Sequence, residues 1–270
     1  RGEGEFTFNE LIKNLNNKKE WSKIEGLSYK INGKFVHNKP RALANLNKIK
    51  LPNRDFRVFD QFYIVNFKAD VAETSRGCTC ACKFCSITKM YGRMYREYPI
   101  PRVIEDLKNI RRRGTQLVFF VDDNITLNYK RFEKLCDAIK DEKLNDLKYA
   151  VQASCRGIAW GGKNLVKKMA EAGFYLVFLG IENPIETNLK DLNKGSTEAE
   201  AIKAIELLKS QNIGVVGGLI IGNPNDDEKT IKTAFDWVKK LKLDLLYAQM
   251  LQPYPKTELG EYAVREGYFD

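Results

Sequence analysis

Apolar and polar positions change rhythm at about residue 68. From there to the end, short apolar runs alternate with amphipathic ones. The apolar runs are "ADVAETS", "QLVFFVD", "KYAVQAS", "FYLVFLGI", "IGVVGGLIIG" and "LLYAQMLQP". Each has the length of a buried strand, and the stretch after it carries apolar residues at three- and four-residue spacing. The pattern predicts helices beginning near Ile100, Tyr129, Gly162, Thr197, Asp227 and Thr257. Six strand–helix units in succession imply parallel strands with helices outside. Six is too few for a closed eight-fold barrel. The fold class expected is therefore α/β, a partial (β/α)6 TIM-type barrel of parallel strands, with chemistry at the strand C-terminal ends.

The first part of the chain lacks that rhythm. "RGEGEFTFNELIKNL" reads as the end of a strand, a turn on Gly2 and Gly4, and a helix with Phe8, Leu11, Ile12 and Leu15 on one side. A helix needs something to bury such a face against, so a domain preceding it is expected. "GLSYKINGKFVHN" alternates around Asn32-Gly33, the dipeptide favoured in type I′ hairpin turns. The single histidine, His37, lies beside this hairpin and reads as structural. "KLPNRDFRVFD" reads as a proline-bearing link. The expected division is a small remnant over 1–18, a connector with a hairpin over 19–67, and the partial barrel over 68–270.

Composition adds exclusions. With 43% hydrophobic and 30% charged residues the chain reads as globular. The net charge of +10 comes largely from scattered lysines, which reads as a solvated surface rather than a nucleic-acid face. The one dense basic run, Arg111–Arg113, falls at the end of a predicted helix, where it complements the dipole. No apolar run reaches membrane-spanning length and no secretory signal opens the chain, so a cytoplasmic location is expected.

Four of six cysteines, Cys78, Cys80, Cys82 and Cys85, fall in "SRGCTCACKFCSITKMYG", directly after the first predicted barrel strand. Disulfides do not suit a cytoplasmic α/β chain. Zinc stays open, although structural zinc usually takes two separated ligand pairs. Clustered thiolates fit iron–sulfur chemistry better. Cys78, Cys82 and Cys85 form C-x-x-x-C-x-x-C with the aromatic Phe84 just before the last cysteine.

That motif, after the first strand of a six-unit α/β chain, resembles the radical S-adenosylmethionine (SAM) superfamily. The resemblance implies a [4Fe–4S] cluster held by Cys78, Cys82 and Cys85, with one iron left for SAM. It implies reductive cleavage of SAM to a 5′-deoxyadenosyl radical, the cofactors carrying the chemistry. Cys80 would then point away from the open iron. The resemblance further implies SAM contacts from Phe84 and from Asp122 and Asp123 of "FFVDDNIT", which could alternatively cap the next helix. Ser154, with Gln152 on the same strand face, could reach SAM or substrate, and Arg156 a carboxylate or a surface partner. Glu182 of "GIEN" resembles the ribose-binding acid. Gly218 and Ile220, with Gly222, fit the family's glycine-rich fifth strand, Ile220 as a wall for adenine. Asp226 stands near where a glutamate is usual, and Lys256 replaces glycine in "PYPKT".

"TSRGC", "FFVDDNIT", "GIEN" and the "GLSYKINGK" connector together resemble the branch that carries an N-terminal cobalamin-binding domain. That branch implies cobalamin, held by a domain largely outside this chain, and methylation or another radical transformation of a small-molecule carbon centre. It also implies an electron donor, a reductase or a flavodoxin or ferredoxin, and neither a membrane nor nucleic acid. The loop "KMYGRMYREYP" either lines the barrel mouth or packs as a cover. Two other readings compete. A tRNA methylthiotransferase would suit the positive charge. A non-catalytic iron–sulfur, electron-transfer or structural metal protein would leave "VDDN", "GIEN" and the glycine-rich strand unexplained.

Overall fold

The structure is a computed structural model and describes residues 1–59 and 61–268. It divides into two compact units, Arg1–Leu51 and Pro52–Asp270. In the first, residues 1–4 form no strand, and helix α1 (Glu5–Lys13) starts directly after Gly4. Its buried side is the one bearing Thr7, whose hydroxyl donates to the Glu25 carbonyl at 2.9 Å. Phe8, Ile12 and Leu15 are exposed. Strands β1 (Ser28–Ile31) and β2 (Lys34–His37) form the hairpin, with Asn32 (φ 47°) and Gly33 (φ 79°) both left-handed as a type I′ turn requires. His37 pairs its Nδ1 with the Ser28 hydroxyl at 2.9 Å, a structural role.

The second unit is built on one seven-stranded sheet. Its strands are β3 (Phe62–Ile64), β4 (Phe67–Ala72), β7 (Leu117–Phe120), β8 (Lys148–Ser154), β9 (Phe174–Glu182), β10 (Gly214–Ile221) and β11 (Leu245–Met250). Spatial order follows chain order from β4 to β11, every neighbouring pair parallel, with β3 added antiparallel on the edge. The six parallel strands are those expected, and the open partial barrel with them. The edge strand β3 and the two-residue pair β5 (Ser75–Arg76) and β6 (Arg96–Glu97) carry too little pattern to show in the sequence. Between the strands run α2 (Ile87–Tyr91), α3 (Ile100–Arg112), α4 (Tyr129–Asp141), α5 (Cys155–Glu171), α6 (Glu186–Asp191), α7 (Glu198–Lys209), α8 (Glu228–Lys240) and α9 (Glu258–Arg265).

One face of the sheet is sealed. Phe120, Tyr149, Phe174 and, from α4, Phe132 stack with ring centroids 5.1–5.8 Å apart, and Val118, Val151, Val177 and Val215 are fully buried beside them. Burying each such side chain contributes about 1.5–3 kcal/mol, so this face anchors the strands whose far ends carry the site. Thr197 and Asp227 start α7 and α8 as capping boxes, and Thr257 caps α9. α5 consists of two helical segments that meet at a kink at Gly162 (φ 63°), so a helix does begin near Gly162 as expected. The segment before it was not expected; Ser154 caps it at the strand end, accepting from Gly157 N at 3.1 Å. The glycines of "CRGIAWGGK" masked the helical period; at Gly157 a Cβ would lie 2.4 Å from Thr126 Oγ1.

The segment read as a link does more than connect, although its last residue, Asp60, lies outside the described residues. Arg54 is buried and donates through Nε to Asp70 at 3.0 Å, through Nη1 to Asp106 at 2.5 Å, and through Nη2 to Asp106 and the Val71 carbonyl. Arg57 adds two bonds to Asp70, at 2.9 and 2.8 Å. Among the described residues no helix is long and apolar enough to cross a membrane.

Candidate cofactor cavity

At the C-terminal ends of the parallel strands lies a cavity of about 330 Å3. Cys78, Cys80, Cys82 and Cys85 all line it, with Phe84 between the last two. Their loop is fastened from several directions. Gly77 (φ 88°) opens it, and a Cβ there would fall 2.2 Å from the Met94 carbonyl oxygen. Lys83 N donates to the Leu192 carbonyl at 3.0 Å, Leu259 N to the Lys83 carbonyl at 3.1 Å, and Asn193 Nδ2 to the Ala81 carbonyl at 2.8 Å. Burial pushes the Cys82 thiol up to about 11 and raises Cys85 as well. Cys78 hydrogen-bonds to Cys80, which raises Cys78 and lowers Cys80, the latter aided by Lys194 and Arg156. Cys80 lines the same cavity as the other three thiols. Among the described residues no three His, Cys, Asp or Glu side chains are grouped to hold a single metal ion. Thiols sharing one wall are the donor set of a centre whose several irons take separate thiolates.

The "VDDN" turn divides its residues. Asp122 is fully buried and does not line the cavity. Its carboxylate accepts from Thr74 N at 3.0 Å, from the Thr74 hydroxyl at 2.7 Å and from the Ser75 hydroxyl. Burial lifts it to about 6 against those bonds. It is a tether between β4, β5 and β7, not a wall residue. Asp123 does line the cavity, and accepts from Gly77 N at 2.8 Å with its other oxygen left uncommitted by that bond. Burial raises it too. Neither aspartate caps α4; Asn128 does, accepting from Arg131 N at 3.1 Å. Ser154 and Gln152 line the cavity from β8, and Ser154 Oγ lies 3.2 Å from Thr126 Oγ1.

The cavity lining also holds an ion pair. Lys194 Nζ donates to Glu182 Oε1 at 2.5 Å, and both residues line the cavity. Burial pulls the ammonium down, but Glu182, with Cys82 and Cys155, outweighs it and holds Lys194 above the ordinary lysine range. β9 makes room by bulging. Gly218 pairs with Gly180 but Leu219 pairs with Glu182, and Glu182 takes φ 56°. At Gly180 a Cβ would sit 2.6 Å from Glu182 Oε1 and 3.0 Å from Lys194 Nζ, so only glycine leaves the pair undisturbed. Cys155, buried beneath, donates to the Gly180 carbonyl at 3.2 Å and burial pushes it up to about 12. Arg156 stacks 5.4 Å from the Trp160 ring and pairs with Glu200 at 3.2 Å.

Other expected residues stand behind the wall. Gly218 clears space for Phe178, since a Cβ there would lie 2.9 Å from the ring; Phe178 lines the cavity. Ile220 is buried and its carbonyl accepts from Asn183 Nδ2 at 3.1 Å. Asp226 is taken up by Asn188 and Asn223. Residues 89–99 do not line the cavity; Tyr98 is buried in packing instead. Lys194, Thr126 and Trp160 had no signal in the sequence. Among so many lysines, only the position of Lys194 just before "GST" and a capped helix sets it apart.

A family model for the radical SAM superfamily matches residues 72–238. An uncharacterized methyltransferase of Pyrococcus horikoshii is 36% identical over 98% of this chain and 57% of its own length. The hopanoid C-2 methylase of Rhodopseudomonas palustris is 30% identical over 72% of this chain and 37% of its own. The chain thus spans about half the length, or less, of these relatives. The radical SAM methyltransferase TsrM of Kitasatospora setae, solved with cobalamin and a [4Fe–4S] cluster bound, has a TM-score of 0.80 at 16% identity. The match covers 98% of this chain and 53% of that one, and is a likeness of fold.

Proposed function

The chain belongs to the radical SAM superfamily, and from that premise we propose that its cavity holds a [4Fe–4S] cluster on Cys78, Cys82 and Cys85, with SAM beside it. The observation that carries this is the meeting, in the lining of one cavity, of four thiols and the Glu182–Lys194 pair. When bound, the cluster supplies the electron that cleaves the sulfonium and yields a 5′-deoxyadenosyl radical. The protein's own residues bind and orient. Asp123 offers a free carboxylate oxygen to an ammonium, Lys194 a cation to a carboxylate, and Glu182 an acceptor for hydroxyls. Phe84, Phe178 and Trp160 supply apolar walls that keep water from the reacting groups.

In this reading Asp122, Gly218 and Ile220 act one layer out, by placing the loop and strand that carry those groups. The reaction proposed is cobalamin-assisted methylation, or another radical transformation, of a carbon centre in a small molecule. It is supported by the methyltransferase names of the relatives and by the fold shared with TsrM, for which tryptophan is the substrate named. Residues 1–18 are proposed as the remnant of a cobalamin-binding-like domain and 68–270 as the catalytic barrel. An external donor of low-potential electrons completes the system.

The test is anaerobic reconstitution with iron and sulfide, reduction, and measurement of 5′-deoxyadenosine on addition of SAM. Loss of the product, and of cluster absorbance, is expected in Cys78→Ala, Cys82→Ala and Cys85→Ala but not in Cys80→Ala. A cluster that needs Cys80, or that forms, binds SAM and yields no 5′-deoxyadenosine after reduction, would sink the proposal.

A further inference from the structure

We infer that the outer side of the cysteine loop, Lys89–Met94, is the docking surface for a small acidic one-electron carrier; this rests on the cluster proposed above. The sequence marks the segment as basic and rich in methionine, "KMYGRM", and the structure keeps it out of the cavity. Lys89, Met90, Arg93 and Met94 are all exposed, the methionines at 52% and 45%. Among the described residues neither Lys89 nor Arg93 has a carboxylate partner.

The segment touches both ends of the cysteine loop. Ser86, next to Cys85, begins α2, and its carbonyl accepts from Lys89 N at 3.0 Å and Met90 N at 3.1 Å. On the other flank, the Met94 carbonyl and Tyr91 Cβ close over Gly77, which precedes Cys78. None of Lys89–Met94 lines the cavity, and all but the half-buried Tyr91 are exposed. Lys89 follows Cys85 by four residues, so the segment adjoins the thiols in the chain.

Lys83, the loop's other cation, is paired with Glu258 at 3.6 Å and overlaid by the start of α9. Arg76 is paired with Glu73 at 2.9 Å, and among the described residues Lys89 and Arg93 have no ion-pair partner. Two cations around exposed thioethers suit a transient partner: charge steers the encounter and methionine adapts to the surface met. The excess of +10 on the whole chain draws an acidic carrier rather than a basic one. In the step proposed, the carrier loses one electron, the cluster gains one, and no atom moves.

The test uses reduced flavodoxin as the carrier and the cluster-loaded chain, wild type and Lys89→Glu/Arg93→Glu. Two readouts are taken: bleaching of cluster absorbance, and carbodiimide cross-linking mapped by mass spectrometry. Flavodoxin is expected to reduce the variant about tenfold more slowly at low salt. The salt dependence seen in the wild type should flatten, with dithionite reducing both chains equally. Lys89→Arg/Arg93→Lys should restore the wild-type rate, and Lys89 should cross-link to flavodoxin carboxylates. Unchanged flavodoxin rates and salt slope in the charge-reversed variant, or cross-links at other lysines and none at Lys89, would overturn the inference. If dithionite does not bleach the wild-type centre, the cluster reading fails, and the cross-link map still decides the docking surface.

Discussion

Two buried ion pairs in the barrel unit look alike and differ in what they leave over. Around Arg54 each of the three guanidinium nitrogens has an acceptor, and Asp70 receives Arg57 as well. Burial works against the charges on Arg54 and Asp70. Their partners still hold Arg54 above its usual range and Asp70 below the usual carboxylate range. Glu182 and Lys194 meet through a single bond, at the wall of a cavity. An ammonium has three donors and a carboxylate about four acceptor sites, so this pair keeps capacity for a third party. The difference teaches how to sort buried charge: saturated groups hold a fold together, and unsaturated ones facing a cavity wait for a ligand.

The largest effect that tests this contrast is Arg54→Leu. Removing one partner of a saturated buried network costs about 3–5 kcal/mol, read as a lowered midpoint in chemical denaturation, with Asp70 and Asp106 left uncompensated. A loss under 1 kcal/mol would erase the distinction.

Asp122 sharpens the comparison through pH, being a buried acid with bonds but no cation. Burial raises its folded value to about 6, above the unfolded 3.8, so its ionised form destabilises the fold. That penalty, up to about 3 kcal/mol, is present above pH 6 and disappears as pH falls toward 4. Wild type should gain stability relative to Asp122→Asn between pH 7 and 5. A pH-independent difference between the two would mean the carboxylate is not held as described.

At the unsaturated pair the effect should fall on binding. Gly180→Ala puts a methyl 2.6 Å from Glu182 Oε1 and displaces the pair. SAM affinity of the cluster-loaded chain should weaken about tenfold, or 1.4 kcal/mol, by equilibrium dialysis, while the denaturation midpoint hardly moves. Lys194→Met should do the same. If either variant loses as much stability as Arg54→Leu, the pair is a scaffold after all.

The smallest effect sets the scale for backbone strain away from both pairs. Lys256 holds φ 65°, a left-handed conformation that glycine takes freely. Lys256→Gly should stabilise by about 1 kcal/mol with SAM affinity unchanged.

The six parallel strands were legible because buried strands in such sheets are nearly continuous apolar runs, and capped helix starts at Thr197, Asp227 and Thr257 have chemical signatures. The cysteines were legible because four thiols in eight residues have few other uses. Ser154 and Glu182 reach the cavity because they end strands, and Asp123 reaches it from the turn after β7. Asp122 does not, because the turn after β7 sends adjacent side chains to opposite sides, and no period extends through a turn. Lys194 and Arg54 were hidden for one reason: each owes its role to residues distant in sequence, and nothing local distinguishes a buried cation from a solvated one. The need for glycine at 180 shows only once the ion pair folded over it is seen.

The fastening of the cysteine loop also orders events during synthesis. The Asn193–Ala81 bond spans 112 residues. At ~5–20 residues per second that interval is roughly 6–22 s. The Lys83–Leu259 bond closes later still, near the end of the sixth strand–helix unit. Until then the cysteine loop is without these two clasps, its locking delayed by the long-range topology that later holds it still.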